Sequence, residues 1–345
     1  MSGDFKQFEQ RKQEHIELAL MQTNQATEAS VLDTLSLCHE ALPDLNFAEL
    51  DLATTRFGRD VPNPFMISSM TAGHQAAVAI NTHLMTAAAA QGWAMGVGSQ
   101  RRELTDPDES ALWHTLRQSF PDVTLFSNLG IAQLITASLA DIQRITDAIT
   151  ADALIIHCNP LQEALQPEGT PEFTGCWHAL ERAVNALPLP IIVKETGCGF
   201  SSSTLKRLNN IGVHAVDVSG LGGTHWGRIE GHRAPAESQG RRAAKTFASW
   251  GIDTVQSILS AKQINPSYEI WGSGGVRHGL DAAKLIALGA TTIGFAKNML
   301  AAALESSDAV IAEMAAIEYE LKLALFCTGS RVLTELQGKL CPIPK

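Results

Sequence analysis

Residues 152–163 read Asp-Ala-Leu-Ile-Ile-His-Cys-Asn-Pro-Leu-Gln-Glu. An apolar run stops at His157, and Asn159, Gln162 and Glu163 follow at once. Pro160 cannot donate to a strand ladder, so a strand should end there. This is the pattern of a buried parallel strand opening into a polar loop, and in a β/α barrel such a strand end is where chemistry is placed. A polar loop that only caps the next helix is the plainer alternative.

Other candidate strand ends carry polar groups as well. They are Ser68-Ser69-Met70-Thr71-Ala72-Gly73, Gly98-Ser99-Gln100-Arg101, Ser127-Asn128, Lys194-Glu195-Thr196-Gly197 and Asp217-Val218-Ser219-Gly220. A lysine at the end of a buried strand is expensive unless an anion or a carboxylate pairs with it. Lys194 therefore reads either as a salt-bridge partner, with Asp217 in reach, or as a cation facing an electron-rich cofactor; the second reading is preferred here. Glycine clusters fall late, in Gly272-Ser273-Gly274-Gly275-Val276 and Gly294-Phe295-Ala296-Lys297. Glycines let backbone N–H groups approach a phosphate, and the last two strand ends of a barrel are its usual phosphate site. A helix beginning near Asn298 would add its positive end.

The elements that must position these groups are legible as apolar runs. Eight occur: 64–69, 93–97, 123–128, 152–157, 190–195, 214–219, 268–273 and 291–295. Runs buried on both faces read as continuously apolar, and helix-like segments such as 76–90 and 281–288 separate most of them. That rhythm predicts an α/β protein with a (β/α)₈ TIM barrel over residues 64–305. A doubly wound open sheet is the alternative, but it would place its glycine fingerprint early. Residues 1–63 form an N-terminal extension with one helix near Phe8–Met21 and irregular chain up to Pro62. Residues 306–345 form a helical C-terminal segment. Residues 220–251, after the sixth strand, read as a long irregular loop, a lid that orders over a ligand.

Composition limits the class. The formal charge is −10 and 45% of the residues are hydrophobic. An acidic chain without a basic stripe argues against nucleic acid as partner. No signal peptide or membrane-spanning run is visible, so the expected setting is cytoplasmic, with no membrane partner. The six cysteines are scattered and form no Cys-x-x-Cys pair. They read as reduced thiols and not as a disulfide or zinc framework.

Taken together, these motifs resemble the type 2, FMN-dependent isopentenyl diphosphate isomerases. The resemblance runs from Arg11 to about Leu300. It rests on Arg11-Lys12 with His15-Ile16, Met70-Thr71-Ala72-Gly73, Gly98-Ser99-Gln100-Arg101, Ser127-Asn128-Leu129-Gly130 and His157-Cys158-Asn159-Pro160-Leu161-Gln162-Glu163. Val193-Lys194-Glu195, Ser219-Gly220-Leu221-Gly222-Gly223-Thr224 and Gly272-Ser273-Gly274-Gly275 complete it. The His–Asn–Gln–Glu motif is specific, whereas the glycine loops are shared with many FMN barrels. One departure is Ala72, where the family usually has glycine.

The resemblance implies interconversion of isopentenyl and dimethylallyl diphosphate, with FMN, Mg²⁺ and NAD(P)H as reductant. It implies FMN contacts from Met70, Thr71, Ala72, Ser99, Asn128, Lys194, Ser219, Thr224, Gly274, Gly275, Ala296 and Lys297. Substrate contacts fall on Arg11, Lys12, Ser99, Gln100, Arg101, His157, Asn159 and Gln162, with the N-terminal extension helping to hold the diphosphate. Glu163 would hold Mg²⁺, and Gln162, His157 and Lys194 would be the catalytic side chains. A homo-oligomer, tetramer or octamer, is also implied. The residue chemistry agrees: a diphosphate needs cations, and Mg²⁺ usually takes one or two carboxylates plus substrate oxygens. An amide does not titrate near neutral pH, so Gln162 can orient but not protonate, and acid–base work falls to the reduced flavin. The alternative is a net FMN oxidoreductase of the hydroxy-acid oxidase type, because one barrel hosts many chemistries. A non-catalytic flavin or phosphate sensor is a third possibility.

Overall fold

A hairpin of β1 (Thr54–Arg56) and β2 (Arg59–Val61) precedes eight parallel strands in this computed structural model, which describes residues 2–26, 30–71, 77–106 and 110–341. The eight are β3 (Phe65–Ile67), β4 (Ala94–Gly96), β5 (Leu125–Gly130), β6 (Ala153–Cys158), β7 (Ile191–Glu195), β8 (Ala215–Asp217), β9 (Glu269–Gly272) and β10 (Thr292–Phe295). Each pairs with its neighbour in sequence, and β10 closes on β3 with Ile293 opposite Phe65. The chain is a (β/α)₈ barrel, as the eight apolar runs predict. Those runs are continuous because both faces are filled: Ala153 and Ile155 pack in the lumen, with Met66, Phe126 and Trp271, while Leu154 and Ile156 pack outward against the helices. Strand side chains alternate by two, so both layers demand apolar residues.

The N-terminal end of the barrel is plugged by the hairpin, which the reading of irregular chain up to Pro62 does not anticipate. Phe57 (φ 50°) and Gly58 (φ 71°) both take positive φ, the conformation of a two-residue hairpin turn. A phenylalanine tolerates it because its ring sits 5.5 Å from Trp271 and its N–H donates to Glu269 at 2.5 Å. Arg56 lies over Trp271 and donates to Phe65 O at 3.2 Å and Thr292 Oγ1 at 3.3 Å. Burial pushes its guanidinium down to about 10.

The polar strand ends open at the opposite face, where two further segments gather. The N-terminal helix runs Ser2–Leu20, starting earlier than Phe8. The segment after β8 is not an irregular lid: it folds into helices Trp226–Arg233 and Gln239–Thr246. Local caps start both, since His225 Nδ1 accepts from Arg228 N and Ser238 Oγ accepts from Arg241 N. Helix Lys297–Ala303 begins beside Asn298 as expected. The long helix Ser307–Cys327 buries Leu321 and Leu325 against the barrel's shell and exposes Tyr319 and Leu323. No helix among the described residues is long and apolar enough to cross a membrane.

One buried cation ties two strand entries together. Arg117, on helix Ala111–Ser119, donates to Pro121 O (3.0 Å) and Val123 O (2.7 Å) ahead of β5. It also donates to Ile149 O (2.7 Å) and Thr150 O (3.0 Å) ahead of β6. Arg117→Met should lower stability by about 3 kcal/mol in urea unfolding, because several buried carbonyls lose their partner together. Arg117→Lys should recover only part, since an ammonium lacks the planar fork. An unchanged midpoint for Arg117→Met would show that water satisfies those carbonyls instead.

Candidate active site

A cavity of about 520 Å³ opens at the C-terminal ends of the barrel strands. Nearly every residue singled out by sequence lines it. Arg11 and Lys12 reach it from the N-terminal helix, Met70 and Thr71 from β3, Ser99 and Arg101 from β4, and Asn128 from β5. His157 comes from the end of β6, Asn159, Gln162 and Glu163 follow it, and Lys194 lies at the end of β7. Ser219, Thr224, Gly274, Gly275, Ala296 and Lys297 complete the wall. Two positions differ. Ala72 lies outside the described residues. Gln100 is buried off the wall: its amide oxygen accepts from Ser127 Oγ and from Asn128 N at 3.3 Å, and its nitrogen donates to Ile145 O at 3.3 Å. Its neighbours Ser99 and Arg101 face the cavity, while these hydrogen bonds hold Gln100 the other way.

The floor is built from two linked sets. Lys194 Nζ lies 2.8 Å from Asp217 Oδ2 and donates to Ser273 Oγ at 3.0 Å, while Ser273 Oγ donates to Asp217 Oδ1 at 2.6 Å. All three are buried, so the lysine has both its carboxylate partner and a place on the cavity wall. Beside them, Asn128 Nδ2 donates to Val97 O at 3.1 Å, which leaves Asn128 Oδ1 to accept from His157 Nδ1 at 2.9 Å. That assignment puts the proton on Nδ1 and a lone pair on Nε2. Burial, and then Lys12 and Lys194, push His157 down to about 4. The ring is neutral at neutral pH and can donate to a phosphate oxygen only after gaining a proton.

The roof is held by a residue that sequence reasoning missed. Glu230, on the helix after β8, is fully buried. Its carboxylate accepts from His15 Nε2 at 2.9 Å, from Gln162 Nε2 at 3.2 Å and from Arg233 Nη1 at 2.6 Å. Burial raises its pKa, but the hydrogen bond from His15 and the charge of Arg233 outweigh that and hold it below the usual range. Asn159 Nδ2 donates to Gln162 Oε1 at 2.9 Å, so both ends of the Gln162 amide are fixed. Arg233 extends the knot to Glu14 Oε2 and Glu168 Oε1, each at 3.0 Å. Nothing local marks Glu230, which stands 68 residues from Gln162; the four-residue spacing of Arg11 and His15 was the available hint that a second helix face needed a partner.

Residue chemistry fits a flavin nucleotide and a metal-bound diphosphate. Gly274 (φ 95°) and Gly275 (φ 81°) lie against the backbone of Gly220 and Gly222, where a Cβ would collide. That packing aligns the two glycine loops at the wall. Ser68 Oγ and Ser69 Oγ are buried with no hydrogen-bond partner among the described residues, and glycines at 294 and 96 leave the space for them. Such hydroxyls are what a polar ligand would satisfy. Glu163 Oε2 accepts from Thr170 N at 2.5 Å and Oε1 from Asn159 Nδ2 at 3.2 Å. Among the described residues no three His, Cys, Asp or Glu side chains form a metal cluster. One carboxylate suits Mg²⁺ that takes its remaining oxygens from water and phosphate.

Comparison with known proteins places this geometry. Residues 143–342 match the FMN-dependent dehydrogenase family. The fold is shared with a chimera of (S)-mandelate dehydrogenase (TM-score 0.68, 14% identity, 98% of each chain) and with mandelate oxidase (TM-score 0.60, 16% identity, 94% of this chain and 89% of that one). Fold and match together define a barrel enzyme of the FMN-dependent class. A relative in Legionella pneumophila strain Lens, an isopentenyl-diphosphate delta-isomerase, is 63% identical over 342 residues, covering 99% of this chain and all of the relative. One in Bdellovibrio bacteriovorus with the same name is 49% identical over 337 residues, covering 96% of this chain and 97% of the relative. The chain belongs to the isopentenyl-diphosphate delta-isomerase family.

Two outcomes follow from the roof. Glu230→Gln keeps the shape but removes the charge facing His15 and Arg233. Turnover should fall by about tenfold or more, equivalent to about 1.4 kcal/mol, while FMN absorbance of the purified protein stays within error. An unchanged kcat would show that Gln162 is not oriented through this carboxylate. The second concerns pH. Burial and the adjacent Arg11 push Lys12 down to about 8, against the pull of Glu103. Lys12 carries its charge below that value and loses it above. KM for a diphosphate should therefore rise as pH climbs through about 8, and Lys12→Arg should flatten that limb in a steady-state pH series.

Proposed function

We propose that this chain interconverts isopentenyl diphosphate and dimethylallyl diphosphate, a 1,3-allylic rearrangement without net redox change that serves isoprenoid biosynthesis. The observation that carries the reading is one cavity lined both by a phosphate-type glycine wall and by a cationic arm, Arg11 and Lys12. The wall suits the flavin phosphate and the arm a second, separate diphosphate.

When bound, reduced FMN supplies the acid–base group, in keeping with the absence of a titratable side chain at Gln162. The protein's own residues do the rest. Arg11, Lys12 and Arg101 neutralise the diphosphate, Arg with paired donors and Lys with a point charge. Glu163 would hold Mg²⁺. Gln162, fixed by Asn159 and Glu230, orients the hydrocarbon end of the substrate. Ser99 and Asn159 add hydrogen bonds at the junction. Lys194, paired with Asp217, would favour an anionic reduced flavin electrostatically. His157 accepts or donates according to the proton that the substrate anion brings.

The same proposal includes NAD(P)H as reductant, action in the cytoplasm and a homo-oligomer, tetramer or octamer. Exposed Leu42, Tyr319 and Leu323 support self-association. In this reading residues 1–63 serve the substrate diphosphate, residues 64–305 hold FMN, and residues 306–345 complete the shell. A hydroxy-acid oxidase activity is the second reading. It rests on the likeness to mandelate enzymes, whose low identity speaks for the fold alone.

The two readings separate in one assay. The anaerobically reduced holoenzyme, given isopentenyl diphosphate and Mg²⁺ in deuterium oxide, should release deuterated dimethylallyl diphosphate while the flavin stays bleached. NAD(P)H should not be consumed in proportion to product. Re-oxidation of the flavin in step with product would overturn the isomerase reading.

A further inference from the structure

Two cysteines that no local motif connects meet where the ends of the chain join. Cys38 and Cys341 are separated by 303 positions, and their sulfurs lie 2.7 Å apart. The backbone holds them there. Cys38 N donates to Lys339 O at 2.7 Å, Cys341 N donates to Ser36 O at 2.8 Å, and Leu37 and Leu340 form an antiparallel bridge between them. Both cysteines are partly exposed, so a small oxidant can reach them.

The segment that Cys38 terminates is not a loose tail. Leu32 O accepts from Lys284 Nζ at 2.8 Å, and Asp33 accepts from Arg277 Nη1 at 3.0 Å. Arg277 lines the active-site cavity next to the glycine loop at 274–275. Whatever fixes residues 32–38 therefore also bears on a residue of the cavity wall. At the other end, Glu40 N donates to Cys327 O at 2.7 Å, which brings a third cysteine into the neighbourhood as a competing partner.

We propose that Cys38 and Cys341 form a reversible disulfide, a covalent modification site that staples the N-terminal strap to the C-terminal end of the chain. The oxidant is a small disulfide such as oxidised glutathione. One cysteine, as thiolate, attacks it, forming a mixed disulfide and expelling one glutathione thiol. The second cysteine attacks the mixed disulfide at the protein sulfur and expels the other glutathione. Two protein thiols are oxidised, one glutathione disulfide is reduced to two thiols, and the two cysteine protons end on the departing glutathiones. The bond would close a loop of nearly the whole chain, where the loss of unfolded-state freedom is large.

The test uses the full-length holoenzyme, incubated with oxidised glutathione or with dithiothreitol, then denatured, titrated for thiols and mapped without reduction. The oxidised sample should lose two of its six thiols and yield a linked peptide pair containing Cys38 and Cys341. Its Tm should rise by at least about 4 °C, and dithiothreitol should reverse all three changes. Cys38→Ser and Cys341→Ser should each abolish the linked pair and the Tm rise. Retention of all six thiols, glutathione adducts without a cross-link, or a link from Cys38 to Cys327 would each overturn the proposal.

Discussion

A carboxylate sealed away from water must be paired, and Glu230 is such a carboxylate. Removing a charge from water costs several kcal/mol, and only close, well-directed partners offset it. The partners here come from three places: His15 on the N-terminal helix, Arg233 three residues along Glu230's own helix, and Gln162 on the short helix Pro160–Leu165 after β6. The positions of those elements are therefore interdependent. Arg11 stands one helical turn before His15, so the contact that satisfies Glu230 also delivers the cationic arm to the cavity.

The arrangement divides the site by charge. Its floor is internally balanced, with Lys194 against Asp217 and with a neutral His157. Its roof sets a cationic arm beside the Glu230 knot. Arg11, Lys12 and Arg101 crowd one another, and the crowding contributes to the lowered pKa of Lys12. Repulsion of this kind is relieved by a polyanion, which is the ligand class proposed for this arm. The barrel makes the division possible, because eight rigid strand ends hold the floor while the two added helical segments carry the roof.

The fold was readable because lumen and shell both demand apolar side chains, which makes each strand a continuous run such as Leu154–Ile156. Contiguous site groups were readable for the same reason: His157 to Glu163 span one strand end. What escaped detection depended on contacts between distant residues. Glu230 looks like any surface glutamate on a short polar helix until His15 and Arg233 are brought to it. Gln100 reads as a site residue from its place beside Ser99 and Arg101, yet its hydrogen bonds to Ser127, Asn128 and Ile145 bury it. The hairpin at Phe57-Gly58 hides because a phenylalanine seldom takes positive φ, and only Trp271 beneath it explains the choice. The helices after β8 hide in a stretch rich in glycine and arginine, where His225 and Ser238 were the only start signals.

The central claim is that the Glu230 ion-pair knot, and not the arm's own helical propensity, holds the arm over the cavity. Amide hydrogen exchange followed by mass spectrometry, comparing the native chain with Arg233→Met, tests it most directly. The account predicts that protection falls together in peptides covering residues 11–20 and 226–233, while peptides from the barrel strands are unchanged. Loss confined to residues 226–233, with the arm as protected as before, would contradict it.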